Sequence, residues 1–149
     1  MKTRTFFLAA SFISVLTFSS CSKKDKIDPP SKTDLLTAKP WVIQKNETRE
    51  NGGPWINVWP FEPACEQDDK WIFSNNMSVT LNTSALACSG ELPNNNYDVL
   101  RWSFSNNETE LVIDGITSKI VQLDENQLVI YASQTVGGDF VENRITYGH

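Results

Sequence analysis

The sequence predicts an all-β fold, an antiparallel meander that closes into an eight- or nine-stranded β-barrel behind one short helix. Three observations carry that prediction. Apolar and polar residues alternate at period two in short runs between Trp41 and Tyr147. Turn signals separate the runs, at Asn51-Gly52-Gly53-Pro54, Asn75-Asn76, Asp114-Gly115, Asp124-Glu125-Asn126 and Gly137-Gly138. Most connections after Asn96 are tight, which favours a barrel over a sandwich with its longer crossovers. Closure also removes the sheet edges that invite aggregation.

The elements follow in chain order. Ser31 or Thr33 can cap a short helix, with Asp34 in its first turn and Leu35-Leu36 facing the domain. Pro40 ends it. Trp41-Val42-Ile43 opens a strand that runs to about Thr48. Trp55 to Phe61 is aromatic but crowded by Pro54, Pro60 and Pro63, so it is an edge strand at best. Lys70–Phe73 places Trp71 and Phe73 on one face, and Met77–Asn82 follows a turn. A long loop holds Cys88 and Asn94-Asn95-Asn96. Val99–Phe104 then puts Leu100, Trp102 and Phe104 on one face. Glu110–Ile113 and Ile116–Leu123 flank Asp114-Gly115, the strongest hairpin signal in the chain. Leu128, Ile130 and Ala132 alternate with Val129 and Tyr131, and Phe140–Tyr147 is the last strand. No helix beyond the first is expected.

The start of the chain reads differently. Lys2 and Arg4 precede an apolar run from Thr5 to Ser20, the pattern of an export signal. The run is shorter than the ~20 residues a spanning helix needs. Phe18-Ser19-Ser20-Cys21 resembles the lipobox of bacterial lipoproteins. That resemblance implies acylation of Cys21, which would become the mature N-terminus, and a lipid tether to a membrane. Ser22 after Cys21, rather than Asp, resembles common sorting signals that imply the outer membrane of a Gram-negative envelope, facing either the periplasm or the cell surface. The expected division is thus a signal peptide at 1–20, a tether at 21–32 and one domain at 33–149. The tether carries Lys23, Lys24, Lys26, Lys32 and Pro29-Pro30, and it can span about 35 Å when extended. It is a solvated spacer, or its lysines rest on anionic headgroups.

The chain has three cysteines and a formal net charge of -5. With Cys21 committed to lipid, Cys65 and Cys88 remain, and an even pair outside the cytoplasm reads as a disulfide. The alternative is two buried free thiols. No basic stripe exists to neutralise phosphates, which argues against nucleic-acid binding. Two cysteines and the single His149 make a poor zinc set, so no metal or other cofactor is expected.

At this point the chain resembles the small lipocalin-like domains of exported bacterial lipoproteins. The resemblance rests on Leu35-Leu36-Thr37-Ala38-Lys39-Pro40-Trp41, on Cys65-Glu66-Gln67-Asp68-Asp69-Lys70-Trp71-Ile72-Phe73, on Cys88, and on Leu100–Phe104 followed by the Asp114-Gly115 hairpin. Lys39 stands where the family usually has glycine. The resemblance covers roughly residues 33–147. It implies a late-strand arginine packed over the first-strand Trp at the closed end, here Arg144 over Trp41.

Catalytic signatures are missing. No serine lies in a Gly-x-Ser-x-Gly setting, and the only histidine is terminal, where mobility is expected. Glu66, Asp68 and Asp69 read as turn and cap residues before they read as an acid–base or calcium site. Binding remains, and no enzyme is expected. Trp55, Trp59 and Phe61 either plug one end of the barrel or contact a ligand or partner. The leading expectation is a small apolar or amphipathic ligand inside the barrel. The alternative is an envelope inhibitor or accessory module, architecturally like lysozyme inhibitors, that meets another protein through Trp55–Phe61 and the 84–96 loop.

Overall fold

The computed structural model describes residues 28–149. The expected export signal, Cys21 and most of the expected tether lie outside the described residues. A helix α1 (Lys32–Thr37) precedes nine strands: β1 (Trp41–Glu50), β2 (Ile56–Asn57), β3 (Lys70–Phe73), β4 (Ser78–Asn82), β5 (Asn96–Ser105), β6 (Glu110–Ile113), β7 (Ile116–Leu123), β8 (Leu128–Val136) and β9 (Asp139–Gly148). A 3-10 turn at Trp59–Phe61 and a one-turn helix α2 (Ala64–Gln67) lie between β2 and β3.

Every neighbouring pair is antiparallel. β1 pairs with β3, the meander runs through to β9, and β9 returns to β1. Eight strands therefore close a barrel, and β2 is a short flap on β1 through Glu47↔Asn57 and Thr48↔Ile56. The flap is what three prolines leave of the edge strand expected at Trp55–Phe61. The helix α2 is a correction to the expectation of a single helix.

Ser31 is the cap of α1. Its hydroxyl accepts from the Asp34 amide, and the Asp34 carboxylate accepts from the Ser31 amide and hydroxyl. This reciprocal box offsets the cost of nucleating so short a helix. Leu36, with no exposed surface, plugs one end of the barrel. The β3–β4, β5–β6 and β7–β8 turns gather at the same end. Thr37 bonds to Asn75, and the Lys32 ammonium donates to the Glu108 carbonyl. Trp41, Phe73, Val79, Trp102, Leu111, Leu128 and Tyr147 pack above Leu36. The Trp102 ring meets Phe73 and Phe104 edge-on, with centroids 6.0 and 5.4 Å away.

A β-bulge between Ile43 and Lys45 shifts the parity of β1. Ile43 faces inward opposite Tyr147, and after the bulge Asn46, opposite Ile145, faces inward too. The inner face of β1 thereby changes from apolar to polar toward the open end. That end is formed by the 51–54 turn, the 83–95 loop and the turns at Asp114-Gly115 and Gly137-Gly138. Asp114 and Gly115 take φ values of 48° and 83°, as a type I′ turn demands.

Candidate functional site, a cavity in the open half of the barrel

Inward side chains near the open end surround a cavity of about 280 Å³, lined by Trp71, Leu100, Ile113, Ile116, Ile130 and Ile145, with Asp114 and Ser118 at its edge. The apolar lining follows from the alternation in β3, β5, β6, β7, β8 and β9, which sends these side chains to the inner face. The closed end is filled by Trp41, Phe73, Trp102 and Tyr147 with Leu36, whereas the open half is walled mostly by aliphatic side chains with Trp71 alone among the large aromatics. Such a site favours a small apolar body over an ion, since its core offers no counter-charge.

A second pocket of about 250 Å³ lies beside it and shares Trp71. It is lined by Ile43, Trp59, Leu81, Cys88, Glu66, Asp69 and Glu91. The Cys65–Cys88 disulfide ties α2 to the 83–95 loop here. Asp68 accepts from the amides of Ala85 and Leu86, 3.2 Å each, so its carboxylate pins that loop. Burial, then the charges of Asp68, Glu91 and Glu66, push the Asp69 carboxyl up to about 6. Its folded-state pKa thus exceeds the unfolded value. The stability it supplies is complete below about pH 4 and is lost as pH rises through about 6. Asp69→Asn should therefore raise stability at pH 7.5 by up to about 1 kcal/mol, after allowing for solvent screening of a partly exposed group. The gain should vanish near pH 4. Urea melts at the two pH values check this, and an equal gain at both would contradict the assigned cause.

Arg144 is not where the resemblance put it. The ladder sets Arg144 opposite Glu47, six residues along β1 from Trp41, about 20 Å of strand away. It also points to the outer face, whereas Trp41 points in. Arg144 donates to Glu47 (2.8 Å), and Lys45 pairs with the same carboxylate (2.6 Å). Arg49 grips Glu142 with two 2.6 Å bonds, and the Tyr131 hydroxyl donates to Glu142 at 2.7 Å. The Trp55 ring lies under both guanidiniums, 4.5 Å from Arg49 and 4.7 Å from Arg144. These groups form a clasp across the β1–β9 seam. Arg49 and then Tyr131 hold the Glu142 carboxyl below its ordinary range. Burial pushes Glu47 up, but Lys45 and Arg144 outweigh it and the net shift is down.

The partner of Trp41 is instead His149. Its ring stacks 4.1 Å from the indole and its Nδ1 sits 2.8 Å from the Pro40 carbonyl. The terminal histidine is held against the barrel, contrary to the mobility expected of it. The Trp41 Nε1 donates to the Leu36 carbonyl at 2.8 Å, which locks α1 onto the closed end.

The three aromatic residues singled out for contact are not brought together. Trp55 belongs to the outer clasp, Trp59 lines the pocket beside the disulfide, and Phe61 is 84% exposed at the open end. The cavity walls themselves were marked in the sequence only as the inner faces of strands.

An eight-stranded meander barrel, plugged at one end by a helix and hollow at the other, is the architecture of a calyx-forming binding protein. The family model of the lipocalin-like domain matches residues 37–130, more than half of the chain. The chain belongs to that family. No curated protein and no solved structure matches it.

Proposed function

We propose that this protein is a membrane-tethered lipoprotein of the cell envelope that binds a small apolar or amphipathic molecule and has no catalytic role. The observation that carries the reading is the apolar cavity bounded by Trp71, Leu100, Ile113, Ile130 and Ile145 beneath an open rim. Ile130→Trp, which fills it, should weaken binding of a fluorescent acyl probe by about 100-fold, as expected from losing an acyl segment's burial. Intrinsic Trp fluorescence reports the titration. Unchanged affinity in the filled variant would sink the reading.

The tether belongs to the same proposal. Residues 28–31 enter α1 at the closed end, so a lipid on Cys21 would attach to the barrel from that end. Cys21→Ser should abolish palmitate labelling and move the protein from the outer-membrane fraction to the periplasm. Retention in that membrane without label would contradict lipid anchoring there.

A second reading has an observation in its favour. Ile56, Phe61, Leu86, Ile116, Val136 and Phe140 are all exposed on the open-end loops and hairpins. Glu50, Glu62, Asp114 and Asp139 stand among them, and such a rim suits a basic envelope protein. A barrel that binds no acyl probe yet retains a basic partner, and loses it in Phe61→Ser, would favour this reading.

A further inference from the structure

The barrel wall is split at its open end. The β7–β8 ladder runs only from Leu123↔Leu128 to Lys119↔Tyr131. Yet β7 begins at Ile116 and β8 continues to Val136. Beyond Lys119, β7 stays with β6 through Val112↔Thr117 and Ile113↔Ile116, while β8 follows β9 through to Val136↔Asp139. A bulge between Ile120 and Gln122 bends β7 just before the strands part.

A pocket of about 380 Å³ occupies the split. Asn46, Thr117, Ser118, Ser133, Gln134 and Asn143 line it, together with Ile116, Ala132 and Ile145. It shares Ile116, Ser118 and Ile145 with the apolar cavity, so the two spaces adjoin along one wall. Alternation turns Asn46, Ser118, Gln134 and Asn143 inward, whereas Thr117 and Ser133 border the split from the outer face, where Ser133 meets the Tyr131 hydroxyl; none of the six is charged. Lys119, the nearest cation on β7, alternates to the outer face opposite Tyr131. An ion placed against Ser118, Asn46 and Asn143, which are buried or half-buried, would lose hydration without gaining a counter-charge from the split's lining, whereas a neutral polar group would find donors and acceptors.

We infer that the split is a subsite for the ligand's head, and that the ligand is a neutral amphiphile whose head carries hydroxyl or amide groups. Its apolar tail lies in the cavity between Trp71 and Ile130, and its head lies between β7 and β8. The inference rests on the ligand-binding reading and adds the class of molecule and its orientation.

Three probes with one chain length separate the possibilities: 1-decanoylglycerol, decanoate and decyltrimethylammonium. They are titrated into the full chain carrying Cys21→Ser, which leaves it unacylated. Decanoylglycerol should bind at least about tenfold tighter than either ion, the scale of a buried hydrogen-bond set against an unpaired charge. Gln134→Leu with Asn143→Leu should erase that preference while Ile130→Trp weakens binding of all three by about 100-fold. A diazirine on the glycerol head should label residues within 116–118 or 132–134. Equal or tighter binding of decanoate, a preference that survives the double variant, or labelling elsewhere would overturn the subsite and leave the ligand reading intact. Failure of all three probes to bind the unsubstituted barrel would remove both.

Discussion

Trp41→Ala should cost about 4 kcal/mol, the order seen when a fully buried Trp is truncated to Ala. Trp41 has no exposed surface, stacks on His149 and donates to the Leu36 carbonyl. Truncation opens a cavity at the closed end and strips the Leu36 carbonyl of its donor, so α1 loses its dock as well. Domains are typically stable by only ~5–15 kcal/mol, and the variant should be close to unfolding at 37 °C. Chemical denaturation at 15 °C measures the loss. Arg144→Ala acts on the outer clasp, remote from Trp41, so the two substitutions should add within ~0.5 kcal/mol. A larger coupling would restore the Arg–Trp pairing that the ladder argues against.

That pairing shows where the sequence stopped being legible. Strand existence was readable because local chemistry decides it. Asp114-Gly115 needs two positive φ values, so the β6–β7 boundaries fall where the turn places them. The inward faces of Trp71 and Phe73, or of Leu100, Trp102 and Phe104, follow from alternation alone. Contacts between β1 and β9 depend instead on register, and register depends on a bulge that leaves no mark in Ile43-Gln44-Lys45. The face of Arg144 follows from β9's own alternation, with Ile145 and Tyr147 inward along an unbroken β8–β9 ladder; the bulge decides only that its partner on β1 is Glu47.

The missed elements have similar causes. The helix α2 is too short to show periodicity, and its place is set by Pro63 ahead of it and by the disulfide at Cys65. The ends of β8 and β9 outrun their alternation. Ser133, Gln134 and Thr135 look like surface residues, yet their ladder to β9 continues to the Gly137-Gly138 turn. For the same reason the apolar cavity was half visible, as a set of inner faces, and the polar split was invisible. Asn46, Gln134 and Asn143 gain a shared environment only from the place where the β7–β8 ladder stops.

Replacing both Cys65 and Cys88 by Ser should cost about 3 kcal/mol, because the bridge closes a loop with a sequence separation of 23. In a domain of this size that lowers Tm by about 10 °C. The character of the loss should differ from that of Trp41→Ala. The core around Trp102 and Leu128 is untouched, so the folded far-UV spectrum should persist at 15 °C. What loosens is the rim, since α2 and the 83–95 loop lose their covalent tie and keep the bonds from Asp68 to Ala85 and Leu86. Glu91 then moves more freely relative to Glu66 and Asp69, which relieves both the burial and the repulsion that raise the Asp69 carboxyl. Its titration should move down toward the ordinary carboxylate range, and the pH 7.5 benefit of Asp69→Asn should shrink in the serine background. Carboxyl NMR on Asp69 reads the first effect and the double substitution reads the second. A stability loss with Asp69 unmoved would show that the bridge acts on the unfolded chain alone and that the carboxylates hold their geometry without it.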